Sequence, residues 1–213
     1  MAEVPVALSP IQPIAPTEIR DGWMVSSVHS HAALRLADRT PLTKVLVRAS
    51  PHGPVASRLG VPFGRARHTD HGELVIGLGP DEWLLLAPPQ TYAVVHSRLD
   101  TTDNDLVSVL DITHGRALVR LTGTAAHEVL TKVCAVDLSD AVTPSGAAFR
   151  SSVANLATDV VRDDVTTSDG AERSYLLQCE RSSGQYLFDT LLDAGREFDI
   201  QVDGFHVTPS FGG

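Results

Sequence analysis

The stretch of sequence that decides the fold is ELVIGLGPDEWLLLA, residues 73–87. Its two apolar runs, residues 73–78 and 82–87, are joined by Gly79-Pro80-Asp81, residue types that tight turns prefer. Two such runs joined by a short turn predict a β-hairpin. Because a hairpin pairs its strands antiparallel, the stretch favours an α+β fold with antiparallel and mixed sheets and packed helices over a strict βαβ repeat.

Predicted strands and helices alternate irregularly on both sides of this hairpin. Apolar runs and bounding turn residues predict strands at residues 44–49, 106–112, 117–121, 149–154, 156–162, 174–180 and 201–207. Apolar spacing and cap residues predict helices at residues 54–60, 91–99 and 123–133, and a last helix after a capping box of Ser182 and Gln185. Residues 162–170 are predicted to form a polar loop.

The composition indicates a globular protein that binds neither nucleic acid nor a membrane. The chain has 17 basic and 26 acidic residues, a formal net charge of −9, and 43% hydrophobic residues. A nucleic-acid-binding surface is basic, and an acidic chain is not attracted to anionic lipid. Its apolar runs are far shorter than the ~20 residues that span a bilayer. Without a basic n-region at its start, the chain is predicted to be cytoplasmic and soluble.

The chain is predicted to divide into three parts. Residues 1–40 contain four X-Pro pairs within the first sixteen positions, which favour extended or turn conformations. We therefore expect a Pro-rich N-terminal strap there, without a hydrogen-bonded ladder of its own. Residues 41–207 are expected to form a single α+β domain, and residues 208–213 a tail. Because the strap carries apolar side chains such as Trp23, it is predicted to order against a partner subunit.

Two pairs of histidines have spacings that a metal could use. His29 and His31 form an H-x-H pair, and His68 and His71 form an H-x-x-H pair. Neither pair lies in a strongly periodic element, and no further Cys or His completes a ligand set. Solvated histidines on the surface or in loops are therefore predicted, with metal ligands as the alternative.

His114 is the best single candidate for a functional histidine. It lies between Asp111 and Arg116 at a short connection between two predicted strands. A nearby aspartate could raise the pKa of its ring, and the strand could aim it. The favoured interpretation is nevertheless a turn histidine that is hydrogen-bonded to local backbone.

Asp159, Asp163 and Asp164 form an acidic cluster in the sequence. Paired carboxylates can act as acid and base when burial separates their pKa values. Because the neighbouring residues are polar, a solvated loop is the favoured prediction here, and no catalytic residue is assigned.

The remaining motifs favour structural roles. Cys134 and Cys179 are too far apart for a disulfide framework or a zinc motif, and Cys134 lies on an apolar helix stripe, which predicts a buried, inert thiol. Gly77-Leu78-Gly79 begins like a dinucleotide-binding motif, but it lacks the third glycine and is followed by a strand. Trp83 is predicted to lie in the core. No cofactor-binding residue or metal ligand is therefore assigned.

Several motifs resemble the gamma subunit of heterotetrameric sarcosine oxidase. LGPDEWL at residues 78–84 resembles a signature of that family, and the similarity extends over roughly residues 40–200. The other similar stretches are DITHGR at 111–116, LTGTA at 121–125, CAVDL at 134–138, FRS at 149–151, ERSS at 180–183 and LFDTLL at 187–192.

The chain is also similar to the larger superfamily of folate-binding aminomethyltransferase T-protein domains. Residues 123–130 resemble the helix that follows a strand in those proteins. Their folate site uses a G-G-x-x-D-D turn, but residues 155–160 here read NLATDV, so only Asp159 matches. The Cys motif of the related iron–sulfur repair proteins is not matched around Cys134. The resemblance therefore implies the fold, without folate chemistry in this chain.

What the resemblance implies is an accessory subunit of an enzyme complex. The complex would oxidatively demethylate sarcosine to glycine with tetrahydrofolate and O2, giving 5,10-methylenetetrahydrofolate and H2O2. FAD, FMN, NAD, tetrahydrofolate and zinc are expected in the alpha, beta and delta partner subunits, and the isolated chain is expected to be inactive. The alternatives are a subunit of a related N-methyl amine oxidase, such as one for dimethylglycine, a free-standing folate-dependent aminomethyltransferase-like protein, and an interaction domain of another assembly.

Overall fold

The computed structural model describes residues 5–99, 106–167 and 170–206, which form a mixed α+β fold. The strands are β1 Ala7–Leu8, β2 Thr17–Arg20, β3 Trp23–Ser26, β4 Leu34–Asp38, β5 Thr43–Arg48, β6 Ala66–His68, β7 Leu74–Gly79, β8 Glu82–Ala87, β9 Ser108–Asp111, β10 Arg116–Gly123, β11 Ala148–Val153, β12 Leu156–Arg162, β13 Val165–Thr167, β14 Gly170–Glu172, β15 Ser174–Glu180 and β16 Gln201–Asp203. The α-helices are α1 Pro54–Leu59, α2 Tyr92–Leu99, α3 Ala126–Thr131 and α4 Gly184–Ala194.

Two large sheets form the centre of the fold. The six-stranded sheet has the order β11-β12-β15-β10-β4-β16, and the five-stranded sheet has the order β6-β7-β8-β5-β9. Smaller sheets are formed by β1-β3-β2 and by β13-β14. Within the described residues, no helix is long and apolar enough to cross a membrane.

Alternating side chains divide the core into three layers. In β10, Ala117, Val119 and Leu121 pack with helices α3 and α4, whereas Leu118 packs between the two large sheets. The outer face of the five-stranded sheet, which includes Val75, packs against α1 and α2. This arrangement follows from the alternation of apolar residues in β10, because alternate residues of a strand point to opposite sides.

The hairpin at residues 73–87 is confirmed. Strands β7 and β8 pair antiparallel, with Leu74 opposite Leu86 and Ile76 opposite Leu84. A bulge lies between Gly77 and Gly79. These four paired side chains point into the layer between the sheets. The alternate residues of the two strands pack on the outer face, so both strands carry apolar residues on both faces.

The prediction that residues 1–40 lack a ladder of their own is wrong for the described part of that segment. Strands β1, β2 and β3 form a small sheet, and β4 lies inside the six-stranded sheet between β10 and β16. Trp23 and Val25 are buried in this chain's own inter-sheet core. The position of β4 inside the sheet depends on partner strands that lie far along the chain. The boundaries at residues 40 and 207 stay predictions, and the tail lies outside the described residues.

Two smaller predictions are also corrected. Ser183, rather than Ser182, precedes α4, and a 3-10 turn at Arg181–Ser183 leads directly into the helix, so no side-chain cap forms. The Gln185 side chain instead accepts a hydrogen bond from the Gln12 backbone at 2.6 Å. The predicted loop at residues 162–170 contains β13 and the end of β12, while residues 168–169 lie outside the described part of the chain.

Candidate functional site

A cavity of about 430 Å³ lies between α1, α2 and the outer face of the five-stranded sheet. Its lining combines apolar side chains such as Val75 and Leu85 with a charged rim. The charged groups on this rim include an ion pair between Arg98 and Glu73. The residues weighed as catalytic candidates from the sequence, Asp159, His114 and Cys134, do not line it.

The structure gives His114 a role in the turn at Thr113–Gly115. The ring is exposed and stacks on Trp23, with centroids 4.8 Å apart and planes 11° from parallel. The carboxylate of Asp111 accepts the backbone N–H of Thr113 at 2.9 Å, so it holds the turn. The neighbouring Arg116 pairs with Glu180 across the strands. The turn placement of His114 is therefore supported, but its ring stacks on Trp23 instead of forming the predicted hydrogen bond to local backbone.

The prediction that Asp159 is solvated is wrong. Its side chain is only 8% exposed, and both carboxylate oxygens accept hydrogen bonds from Arg150, at 2.6 and 3.1 Å. The two residues lie directly opposite each other in the β11–β12 hairpin. Gln178, on the adjacent strand β15, donates a longer hydrogen bond of 3.4 Å to the same carboxylate. Asp159 is thus fixed as a structural ion-pair partner.

Asp163 and Asp164 are also held by basic side chains instead of lying in a solvated loop. Asp163 accepts hydrogen bonds from Arg120 at 2.5 Å and from His68 at 2.7 Å, which joins the two large sheets. Burial alone would raise the pKa of Asp163, but the His68 hydrogen bond and the Arg120 charge outweigh burial and lower it. Asp164 accepts two hydrogen bonds from Arg162, at 3.0 and 3.1 Å. Both carboxylates are engaged in ion pairs with arginine side chains, which does not suit proton transfer.

Both cysteines are buried and free, as the apolar surroundings of Cys134 predict. Burial raises the pKa of Cys179 to about 11, and Glu180 adds to this effect. A thiol with such a pKa carries almost no thiolate near neutral pH, and only the thiolate is a good nucleophile.

The Gly77-Leu78-Gly79 motif has a packing role. A Cβ atom on Gly77 would lie 2.3 Å from the carbonyl oxygen of Pro62, so the glycine permits a close approach of two backbone segments. Strand β8 follows the motif, as predicted, and not a helix. Trp83 is buried and donates its indole N–H to the Val61 carbonyl at 2.8 Å, which confirms the core prediction.

The four histidines of the two sequence pairs are exposed, which confirms the surface prediction for their rings. His68 additionally pairs with Asp163, on a strand that the sequence spacing could not place beside it. The structure also brings His29 together with Asp203 and His206, which the sequence analysis missed. No local spacing could have found this group, because its members are joined by the parallel pairing of β4 with β16.

A family model described as the GCVT N-terminal domain matches residues 72–210. The chain belongs to that family. It is 28% identical over 181 residues to sarcosine oxidase subunit gamma of Corynebacterium sp. (strain U-96), a match that covers 81% of this chain and 84% of that protein. It is 30% identical over 122 residues to the same subunit of Arthrobacter sp., covering 54% of this chain and 60% of that protein. The resemblance inferred from the motifs is confirmed.

Two solved structures are similar in fold to this GCVT-family chain. A chain of the heterotetrameric sarcosine oxidase from Corynebacterium sp. U-96, in complex with pyrrole 2-carboxylate, has a TM-score of 0.65 and 26% identity, covering 85% of this chain and 91% of that one. Glycine cleavage system aminomethyltransferase T from Bartonella henselae also has a TM-score of 0.65, with 16% identity, covering 89% of this chain and 56% of that one. The second likeness concerns the fold alone.

Proposed function

We propose that this chain is the gamma subunit of a heterotetrameric sarcosine oxidase and that it acts as a structural subunit. The observation that carries the proposal is the similarity to a chain of such an enzyme over 91% of that chain's length. The sequence similarity to sarcosine oxidase subunit gamma of Corynebacterium sp. (strain U-96) and of Arthrobacter sp. supports it.

In this proposal the chemistry belongs to the partner subunits. The complex converts sarcosine, tetrahydrofolate and O2 to glycine, 5,10-methylenetetrahydrofolate and H2O2 in the cytoplasm. FAD, FMN, NAD, tetrahydrofolate and zinc are held by the alpha, beta and delta subunits. The ion pairs of Asp159 and Asp163, the stacked His114 and the tight packing at Gly77 support a structural role for the candidate residues of this chain.

We propose that the N-terminal sheet and its flanking residues contact one of the larger subunits. Leu8, Ile14 and Ile19 leave between 44% and 61% of their surface exposed within this short segment. Apolar groups clustered on a surface mark protein contacts more often than isolated ones do. The segment itself is anchored, since Ile11 and Trp23 are buried in the chain's own core.

The decisive experiment is purification of the tagged chain from its native host at native expression. We expect larger chains to co-purify, with flavin absorbance and sarcosine-dependent H2O2 formation. Comparing sarcosine with dimethylglycine tests the amine substrate, and adding tetrahydrofolate tests transfer of the one-carbon unit. A chain that purifies alone and transfers one-carbon units to tetrahydrofolate by itself would replace this proposal with a free-standing aminomethyltransferase.

The contact surface is tested by the double variant Leu8→Asp and Ile19→Asp. We expect it to fold normally, because both side chains are exposed, but to co-purify much less of the larger subunits. Val94→Asp, at a comparably exposed site on α2, is the matched control and should assemble normally. Equal assembly of the wild type, the double variant and Val94→Asp would contradict the placement of the contact. The subunit assignment is tested separately, by the purification experiment.

A further inference from the structure

We propose that His29, Asp203 and His206 form a binding site for a divalent transition-metal ion of the zinc class. One possible ligand atom from each side chain lies within 4.8 Å of the other two. The site combines the segment between β3 and β4 with the residues at and after β16. The inference does not depend on the proposed function, since it concerns this chain alone.

The backbone frame of the site is tightly fixed. The N–H groups of Gly204 and Phe205 donate to the carbonyls of Val28 and Ser26, at 2.7 and 3.0 Å. A Cβ atom at Gly204 would lie 2.5 Å from the Ser26 carbonyl oxygen, so only glycine permits this approach. The two segments that carry the ligands are therefore held together before any ion binds, as a preorganised site requires.

Hydrogen bonds orient the side chains that would bind the ion. The Asp203 carboxylate accepts the Ser30 N–H at 3.1 Å. His206 Nε2 lies 3.1 Å from the Val28 carbonyl oxygen. His206 Nε2 also lies 3.6 Å from Asp203 Oδ1. If the N–H at Nε2 donates to the Val28 carbonyl, the Nδ1 lone pair is free for a metal, which is a usual arrangement around metal-bound histidine. The His206 carbonyl is itself held by Arg39 at 2.5 Å.

Binding requires a rotation of one ring. His29 and His206 stack with centroids 3.8 Å apart and planes 5° from parallel. A nitrogen lone pair lies in the plane of its ring, so one ion cannot lie in both planes in this arrangement. His29 is exposed, and its ring can turn about a broad torsional minimum to direct a nitrogen toward the ion.

The donor set selects the class of ion. Two imidazole nitrogens and one carboxylate oxygen suit Zn²⁺, Co²⁺, Ni²⁺ or Cu²⁺, whereas Mg²⁺ and Ca²⁺ prefer oxygen ligands. Three protein ligands leave a fourth tetrahedral position for water or another ligand. Arg39 interacts with the charge of Asp203, and its own positive charge opposes that of the ion, so we expect it to weaken binding.

The test uses the full chain without a histidine tag, after dialysis against a chelator. Isothermal titration with Zn²⁺ should show one equivalent bound, and Co²⁺ should develop visible absorption typical of tetrahedral coordination. His29→Ala and Asp203→Asn should each weaken Zn²⁺ binding by at least ~10-fold, the lower end of what the loss of an outer-shell partner costs. His31→Ala, the other member of the H-x-H pair, is the matched control and should bind normally.

Because His29 is exposed, its variant should keep the circular dichroism spectrum and melting temperature of the wild type, which separates ligand loss from unfolding. The proposal is overturned if no equivalent of Zn²⁺ binds, if Mg²⁺ binds equally well, or if His29→Ala and Asp203→Asn bind normally. Loss of binding in His31→Ala without loss in Asp203→Asn would assign the ion to the H-x-H pair instead.

Discussion

Two buried cations, Arg120 in the six-stranded sheet and Lys44 in the five-stranded sheet, have different hydrogen-bond partners. The Arg120 guanidinium donates to the Asp163 carboxylate at 2.5 Å and to the Ser174 hydroxyl at 2.9 Å. The Lys44 ammonium has three backbone carbonyl acceptors, those of Thr40, Leu42 and Thr113, at 2.7, 3.0 and 3.4 Å. Arg120 is thus paired with a negatively charged carboxylate, whereas the hydrogen-bond acceptors of Lys44 are uncharged carbonyl groups.

This difference determines how each charge responds to pH. An arginine next to a carboxylate stays protonated throughout the range in which proteins fold. Burial lowers the pKa of Lys44 to about 7, although the charges of Asp38 and Asp111 oppose this shift. The six-stranded sheet therefore contains a permanent ion pair, whereas the five-stranded sheet contains a cation that titrates near neutral pH.

The largest expected effect comes from breaking the permanent pair. Arg120→Leu leaves the Asp163 carboxylate buried without its main counter-charge, and loss of one partner of a buried pair costs about 3–5 kcal/mol. Urea unfolding at pH 7 should show this decrease in the free energy of unfolding. Arg196→Ala is the control, since its pair with Asp193 is exposed, and it should change stability by less than about 0.5 kcal/mol. Similar losses in the two variants would contradict the comparison.

A smaller effect is expected from the titration of Lys44. An unfolded lysine keeps its proton up to about pH 10.4, so between pH 7 and that value the unfolded chain binds more protons than the folded one. Stability from this group therefore rises with pH, by about 2 kcal/mol between pH 7 and pH 9. Well below pH 7, Lys44 is protonated in both the folded and the unfolded chain, so its contribution to stability no longer changes with pH.

Urea unfolding across this pH range measures the Lys44 contribution. Lys44→Met should be less stable at pH 9, because it leaves buried carbonyls without a donor, and it should lose the rise with pH. Lys132→Met removes a partly exposed lysine and should retain that rise. A Lys44→Met protein with the wild-type pH dependence would show that another group is responsible.

The smallest effect is expected at the half-exposed pair of Arg150 and Asp159. Arg150 is 61% exposed and stays hydrated when its partner is removed, so Asp159→Ala should cost only about 1 kcal/mol. Turnover of the assembled oxidase should stay within about twofold of wild type. Loss of a general acid or base typically costs a factor of ~100 or more. A loss of that size in a complex with full flavin content would revive a folate-linked role for Asp159.

Much of the fold could be predicted because local pattern and tertiary pairing agree. The hairpin at residues 73–87 and the divided faces of β10 follow from turn residues and alternation alone. Strand β4 was missed, although Leu34 and Leu36 alternate with polar Arg35, because the prolines before it suggested an irregular segment. Its pairing with β10 and β16 is long-range, and a single sequence does not specify long-range register.

The candidate site was less predictable because its charges are paired across strands. The pair of Arg150 and Asp159 could have been predicted. If the turn of the β11–β12 hairpin is placed at Ala154 and Asn155, the two residues lie at equal distances along the chain on either side of it, and therefore opposite each other. The pairing of Asp163 with Arg120 and His68 could not, since it joins two sheets. The group around His29 and His206 likewise depends on how distant segments meet.

The parallel pairing of β16 with β4 also has a consequence for synthesis of the protein on the ribosome. Ser30 and Asp203, which are hydrogen-bonded beside this pair of strands, are 173 residues apart. The partner of β4 on this edge is therefore translated long after β4 itself, and contacts of such separation form slowly. During translation, β4 presents an unpaired strand edge, which is a site for aggregation unless it is covered. We expect the nascent chain to depend on chaperones or prompt assembly until β16 has emerged.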